Sequence, residues 1–376
     1  MYMRKIENNV VSDDGKVLLY SIDNFVKEIC NKTTCFICGV DDESAEFNDE
    51  HIIPRWVLKR YGLFGKEITL PNGRKFRYGK YKIPCCKKCN SLLGNGIEKK
   101  ISEGFNGDFK SSKEFFNKNK ELVFVWICLL YVKTHLKDRH FKFDFKSERI
   151  ISDDYDWEGL HHTHCMARSI YTDTKIDRKV YGTMYIYECD TLDRGEAFDY
   201  IDLYGTSTVL VRLGGLCLIC AIGDSQIVRH LLKSRTDRIT GKLNFLQMRE
   251  LYSRLTYEYL RIIDKPKFFS IGNFDDKFLC IMSSVKQAIR MSDHDESLLG
   301  SIMYKLVENY IFKPTHPELV EKMNFQVEAV KNGQWTYLFD SEGKFLEDSE
   351  FIIDDEEALL DEVNNGIDQF NLKNKT

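Results

Sequence analysis

Apolar positions recur along the chain with several different periods. From Lys113 to His135 they fall at helical spacing, and Leu122 to Val132 is apolar almost without a break. This predicts a helix buried on every side and too short to span a bilayer. VYGTMYIYE (Val180 to Glu188) alternates as a strand does. STVLVRLGGLCLICAIG (Ser207 to Gly223) predicts two strands hinged at Gly214-Gly215. Two amphipathic helices are predicted next, Leu246 to Ile263 and Glu296 to Phe312, from apolar residues at i, i+3 and i+4.

Upstream the pattern breaks up. Short apolar patches lie between cysteines, and LPNGRKFRYG predicts a hairpin turning at Asn72-Gly73. The polar stretch FNGDFKSS (Phe105 to Ser112) marks a boundary. The fold class expected is α+β. A small irregular module with its lead-in takes residues 1–105, a larger mixed α+β domain residues 106–339, and a tail residues 340–376. The tail is either partly ordered around FIIDDEEALLDEV or flexible.

Composition narrows the class. With 43% hydrophobic and 13% aromatic residues, the 376-residue chain has material for a folded core. A net charge of −4 conceals a gradient. Arg55 to Lys113 holds about 15 basic residues against about 4 acids, and residues 340–376 hold about 12 acids against 3 lysines. A basic segment favours polyanions such as nucleic acid, and an acidic tail could dock on it as a mimic. The start, MYMRKIENNVV, has no apolar core of a secretory signal, so a cytoplasmic chain with no membrane association is expected. In a reducing compartment, twelve cysteines point to metal binding or burial more than to disulfides.

Four of the twelve are paired. Cys35-Phe-Ile-Cys38 and Cys86-Lys-Lys-Cys89 are two C-x-x-C knuckles about fifty residues apart, a spacing that lets four thiolates surround one structural Zn2+. Cys85 could replace Cys86, with looser spacing to Cys89. Cys217 and Cys220 share the same spacing but fall on a predicted strand, where they face opposite sides and read as core. HHTHC (His161 to Cys165) reads as a polar loop.

Between the knuckles lies Glu50-His51, opening EHIIPRW, and Asn90 directly follows the last cysteine. C-x-x-C, acid-His, then C-x-x-C-Asn resembles the HNH (ββα-metal, His-Me finger) endonuclease family, in its zinc-bearing endonuclease VII-like branch, over about residues 34–101. CNSLLGNGIEKKI resembles bacterial HNH proteins that carry a glutamate about two helical turns on, here Glu98. Many members also carry an asparagine shortly before the second knuckle to position the hairpin, and YGKYKIPC has none.

The resemblance implies a zinc-stabilised hairpin and helix. It implies His51 as general base, and a catalytic Mg2+ or Mn2+ held by Glu50 and Asn90 with Glu98 adding an oxygen. Each residue has a plainer role to set beside this one: core histidine for His51, surface acid for Glu50, helix N-cap for Asn90 and exposed helix acid for Glu98. The chemistry agrees with the resemblance, since imidazole titrates near neutrality and a hard cation takes oxygen ligands.

Arg55, Lys59, Arg60, Arg74, Lys75, Arg77, Lys80, Lys82, Lys87 and Lys88 would neutralise backbone phosphates, with Trp56 read as core. The expected activity is metal-dependent hydrolysis of DNA phosphodiesters, which the resemblance places in anti-phage defence or a mobile element. An RNase using the same site, and a zinc-stabilised nucleic-acid-binding module without catalysis, remain alternatives. Residues 106–339 could carry a protein partner or a homo-oligomer contact.

Overall fold

The computed structural model describes residues 3–347, apart from 71–72, 144–145, 147, 191–196, 204, 274–277 and 312–314. The Asn72 turn position and most of the acidic tail lie outside the described residues. The chain is mixed α+β, with its cysteine cluster near the N-terminus.

It opens with an antiparallel sheet of β1 (Met3–Ile6), β2 (Asn9–Ser12) and β3 (Val17–Leu19). The first knuckle follows, then β4 (Glu50–His51) and helix α1 (Arg55–Arg60). The hairpin expected at LPNGRKFRYG is formed by β5 (Glu67–Thr69) and β6 (Lys75–Arg77), with Gly73 at φ +79°. Strand β7 (Lys82–Ile83) returns antiparallel to β4, pairing Glu50 with Ile83 and His51 with Lys82.

Helix α2 (Lys87–Leu93) runs on through a π turn, Gly94–Glu98, into α3 (Lys99–Gly104). The boundary predicted at FNGDFKSS contains the turn into α4 (Phe109–Lys118), which Asp108 caps by accepting from the Ser111 amide. The single helix expected from Lys113 to His135 is instead two. Asn119 leaves helical geometry (φ −125°, ψ 39°), separating α4 from α5 (Lys120–Asp138). Helix α5 is buried almost throughout, as its unbroken apolar run requires.

HHTHC is not a loop. It lies in α6 (Trp157–Ala167), and His162 and His164 are buried. After the short β8 (Lys175–Ile176) come β9 (Thr183–Glu188), β10 (Phe198–Asp202), β11 (Thr208–Leu213) and β12 (Leu216–Ala221). They form an antiparallel sheet in the order β10-β11-β12-β9. Gly214, at φ +63°, makes the predicted hinge between β11 and β12. Cys217 and Cys220 point into different clusters of buried side chains on the two faces of that sheet.

Helix α7 (Phe245–Arg261) starts at a capping box of Asn244 and Gln247 and packs on the second face. Strands β13 (Lys267–Asn273) and β14 (Phe278–Ser284) extend β8, and α8 (Glu296–Val307) and α9 (Pro317–Lys331) follow. One cluster of buried side chains runs from Tyr20 to Ile281. The knuckles, β4, β7 and α2 thus share a core with α5 and the four-stranded sheet. No helix among the described residues is long and apolar enough to cross a membrane.

Candidate functional site

The four sulfurs of Cys35, Cys38, Cys86 and Cys89 lie within 4.8 Å of one another. A tetrahedral Zn2+ with thiolates at about 2.3 Å needs sulfurs about 3.8 Å apart. Cys38 Sγ and Cys86 Sγ are 3.7 Å apart, so the donor set and its spacing fit a structural metal such as zinc. Each knuckle is shaped by its own turn. Gly39 sits at φ +77° and donates its amide to the Cys35 carbonyl at 2.8 Å. A Cβ there would lie 2.3 Å from Tyr20 Oη, so only glycine fits.

At the second knuckle, Cys86 N-caps α2 and its sulfur accepts the Cys89 amide at 3.4 Å. Cys86 rather than Cys85 joins the cluster, while Cys85 Sγ stands 3.9 Å from Cys35 Sγ. Hydrogen bonds from Cys38, Cys85 and Cys89 drive the Cys35 thiol toward ionisation, and holding the proton in that pair pushes Cys38 up to about 12. Bound together around one cation, the four would serve as thiolate ligands.

The helix of HHTHC braces this knuckle from behind. His164 Nε2 lies 2.7 Å from the Phe36 carbonyl, between the first two cysteines, and His161 Nε2 is 2.9 Å from the Tyr20 carbonyl. Burial holds His164 well below the usual histidine range, which keeps its ring neutral.

The cysteines fasten the start of α2 to the first knuckle, just after β7. Asn90 adds a tether, since its Nδ2 donates to the Asn48 carbonyl at 2.9 Å, two residues before Glu50. The hairpin is therefore anchored from within α2, although no asparagine precedes the second knuckle. The N-cap role considered for Asn90 belongs to Cys86, because Asn90 lies inside the helix.

Neighbours on a strand face opposite ways, and Glu50 and His51 do so. His51 is half-buried, with Phe64 edge-on at 6.0 Å between ring centroids and Lys82 opposite it across the ladder. Partial burial, with the positive charges of Lys82, Lys133 and Arg55 outweighing Glu50, holds its pKa below the ordinary value. At neutral pH the ring is an unprotonated base.

Glu50 faces inward. Its Oε1 accepts from Lys133 Nζ at 2.8 Å, and Glu98 Oε1 lies 3.3 Å from the same nitrogen. Glu98 is placed by the π turn, a helix irregularity frequently found at functional sites. Burial pushes its carboxyl up to about 7, against the pull of Lys133 and with Glu50 adding to the rise. Burial alone would lower Lys133, but the two carboxylates reverse the sign and hold it above the ordinary lysine value. Sequence reasoning missed Lys133. It follows the apolar run of α5, and its carboxylate partners are 83 and 35 residues away.

The basic residues divide into two groups. Arg55, Lys59, Arg74, Lys75, Arg77, Lys80 and Lys88 are exposed, and Lys82 is half-buried beside His51. Lys87 is exposed and ion-pairs with Glu46 at 3.0 Å. Arg60 is committed elsewhere. Its guanidinium donates to the Phe105 carbonyl at 2.8 Å and the Ser102 carbonyl at 3.0 Å, and it covers the Trp56 ring at 4.6 Å. It ties α1 to α3 rather than facing a phosphate. Trp56 packs against the core as expected.

No protein-family model matches the chain, and neither a curated protein nor a solved structure does.

Proposed function

We propose that the chain is an HNH-like nuclease that hydrolyses nucleic-acid phosphodiesters, with His51 as general base and Zn2+ in the four-cysteine cluster. The observation carrying this reading is a strand, strand and helix (β4, β7, α2) with four thiols gathered at the start of the helix and a neutral imidazole beside exposed cations. His51 would take the proton from an attacking water. Arg55 and Lys82 would hold the phosphate, while Lys75, Arg77 and Lys80 would neutralise its neighbours. DNA is the substrate the resemblance favours, RNA would meet the same groups, and a role in defence rests on the resemblance alone.

The divalent ion implied at Glu50, Asn90 and Glu98 does not fit the donor set as folded. The Lys133 ammonium lies against Oε1 of both carboxylates, so a positive charge already stands between them. No step is therefore assigned to it. The same lysine favours a second reading, a zinc-stabilised nucleic-acid-binding module without catalysis.

A nicking assay separates the two. Supercoiled plasmid and a labelled RNA are incubated with the zinc-loaded chain, with and without Mg2+ or Mn2+, beside His51→Ala. Cleavage lost in a folded His51→Ala variant that still binds DNA supports the nuclease. DNA binding with no cleavage by either protein supports the binding module and sinks the nuclease.

A further inference from the structure

We propose that the Lys133 ammonium is the resident cation of this site, standing where a divalent ion would need to bind and holding the His51 strand in place. An ammonium has three N–H donors. Lys133 Nζ meets three oxygens: Glu50 Oε1 at 2.8 Å, the His51 carbonyl at 2.8 Å and Glu98 Oε1 at 3.3 Å. Every donor has an acceptor, and one acceptor belongs to the backbone of the proposed base.

The surroundings bury the arrangement. The Lys133 side chain is 0% exposed, while those of Glu50 and Glu98 are 10% and 12% exposed. Lys133 stands on α5, which is buried to either side of it, so the ammonium itself is out of contact with water. An entering Mg2+ would require oxygens at about 2.0–2.1 Å and would retain several waters. It would have to displace the ammonium from both carboxylates, and an unpaired buried ammonium is strongly disfavoured.

The site is the one read above as the centre of hydrolysis. The test measures ion binding, so a chain that cleaves nothing would sink that reading and leave this one standing. Mn2+ is titrated into the zinc-loaded full chain and followed by the electron paramagnetic resonance of the free ion. Wild type, Glu50→Gln and Glu98→Gln are compared with Lys133→Met, whose neutral side chain has similar length. The expected result is the same set of Mn2+ sites in wild type and both carboxamide variants. Lys133→Met gains one site, which adding Glu98→Gln weakens tenfold or more.

A wild-type Mn2+ site that either carboxamide weakens tenfold overturns the proposal. A folded Lys133→Met chain that gains no site also overturns it, since the lysine would then merely hold two acids together. Should Lys133→Met fail to fold, the comparison of wild type with the two carboxamides decides alone.

Discussion

Replacing Lys133 by Met, with both glutamates retained, tests how much the buried triad contributes to the fold. The substitution conserves length, removes the charge and leaves two carboxylates in a site where their side chains are only 10% and 12% exposed. Removing one partner of a buried ion pair costs about 3–5 kcal/mol, because the remaining charge is stranded. The His51 carbonyl loses its donor as well.

For a 376-residue chain unfolding as one unit, at about 2.1 cal/mol/K per residue, that cost lowers Tm by about 4–6 °C. The loss is pH-dependent, and its sign follows from Glu98. Its folded pKa, about 7, lies above its unfolded value of 4.5. An acid raised in this way contributes stability that is fully present below the unfolded value and lost as pH rises through the folded one. Without the lysine's pull Glu98 is raised further, so Lys133→Met is less damaging at pH 5 than at pH 8.

The triple variant Lys133→Met/Glu50→Gln/Glu98→Gln strands no charge and returns to within about 2 kcal/mol of wild type. The assay is thermal and urea unfolding across pH 5 to 8, with near-UV circular dichroism to confirm native packing. If Lys133→Met costs less than about 1 kcal/mol, as an exposed pair would, or if the triple variant is no better than the single, the triad is not the buried unit described above.

Other consequences can be measured independently. Purified chain should carry one Zn2+, released by Cys89→Ser or a strong chelator. A four-cysteine site of this kind supplies about 10 kcal/mol or more of folding free energy, so hydrogen exchange across β4, β7 and α2 should rise sharply on metal loss, and an unchanged exchange pattern would argue against a structural metal. The His51 imidazole should titrate below 6.5, and Lys82→Met should raise that pKa, moving the acidic limb of any cleavage profile to higher pH; NMR of the ring protons reads both, and an unmoved titration removes Lys82 from the account. Arg60→Ala should lose about 1.5–3 kcal/mol of stability through its charged bonds to Ser102 and Phe105, yet leave the salt dependence of DNA binding unchanged, whereas Arg77→Ala or Lys80→Ala should each lower the slope by about one; a slope lowered by Arg60→Ala would return it to the phosphate-binding set.

What could be read from the sequence, and what could not, divides according to the distance over which each feature is determined. The β11–β12 hinge was legible because two glycines interrupt a run of strand residues, and the opposite faces of Cys217 and Cys220 follow from a period of two. The four cysteines were legible because each knuckle is local and its turn demands Gly39 or a helix start at Cys86. HHTHC was misread because its polar side chains gain their partners only in the fold, at the carbonyls of Phe36 and Tyr20. Asn119, which splits the predicted long helix, carries a weak local preference that packing decides.

Lys133 is the extreme case. In the sequence it continues an apolar helix, and its environment comes from β4, 83 residues earlier, and a π turn 35 residues earlier. A pattern of acid, histidine, asparagine and acid in the right order identifies a set of oxygens and a nitrogen, but not the cation they enclose. Which cation it is depends on α5, a helix outside the span of the resemblance, and on whether the core shared by α5 and the knuckles lets the ammonium leave. The chemistry available to His51 is therefore set as much by the packing of α5 as by the strand that carries it.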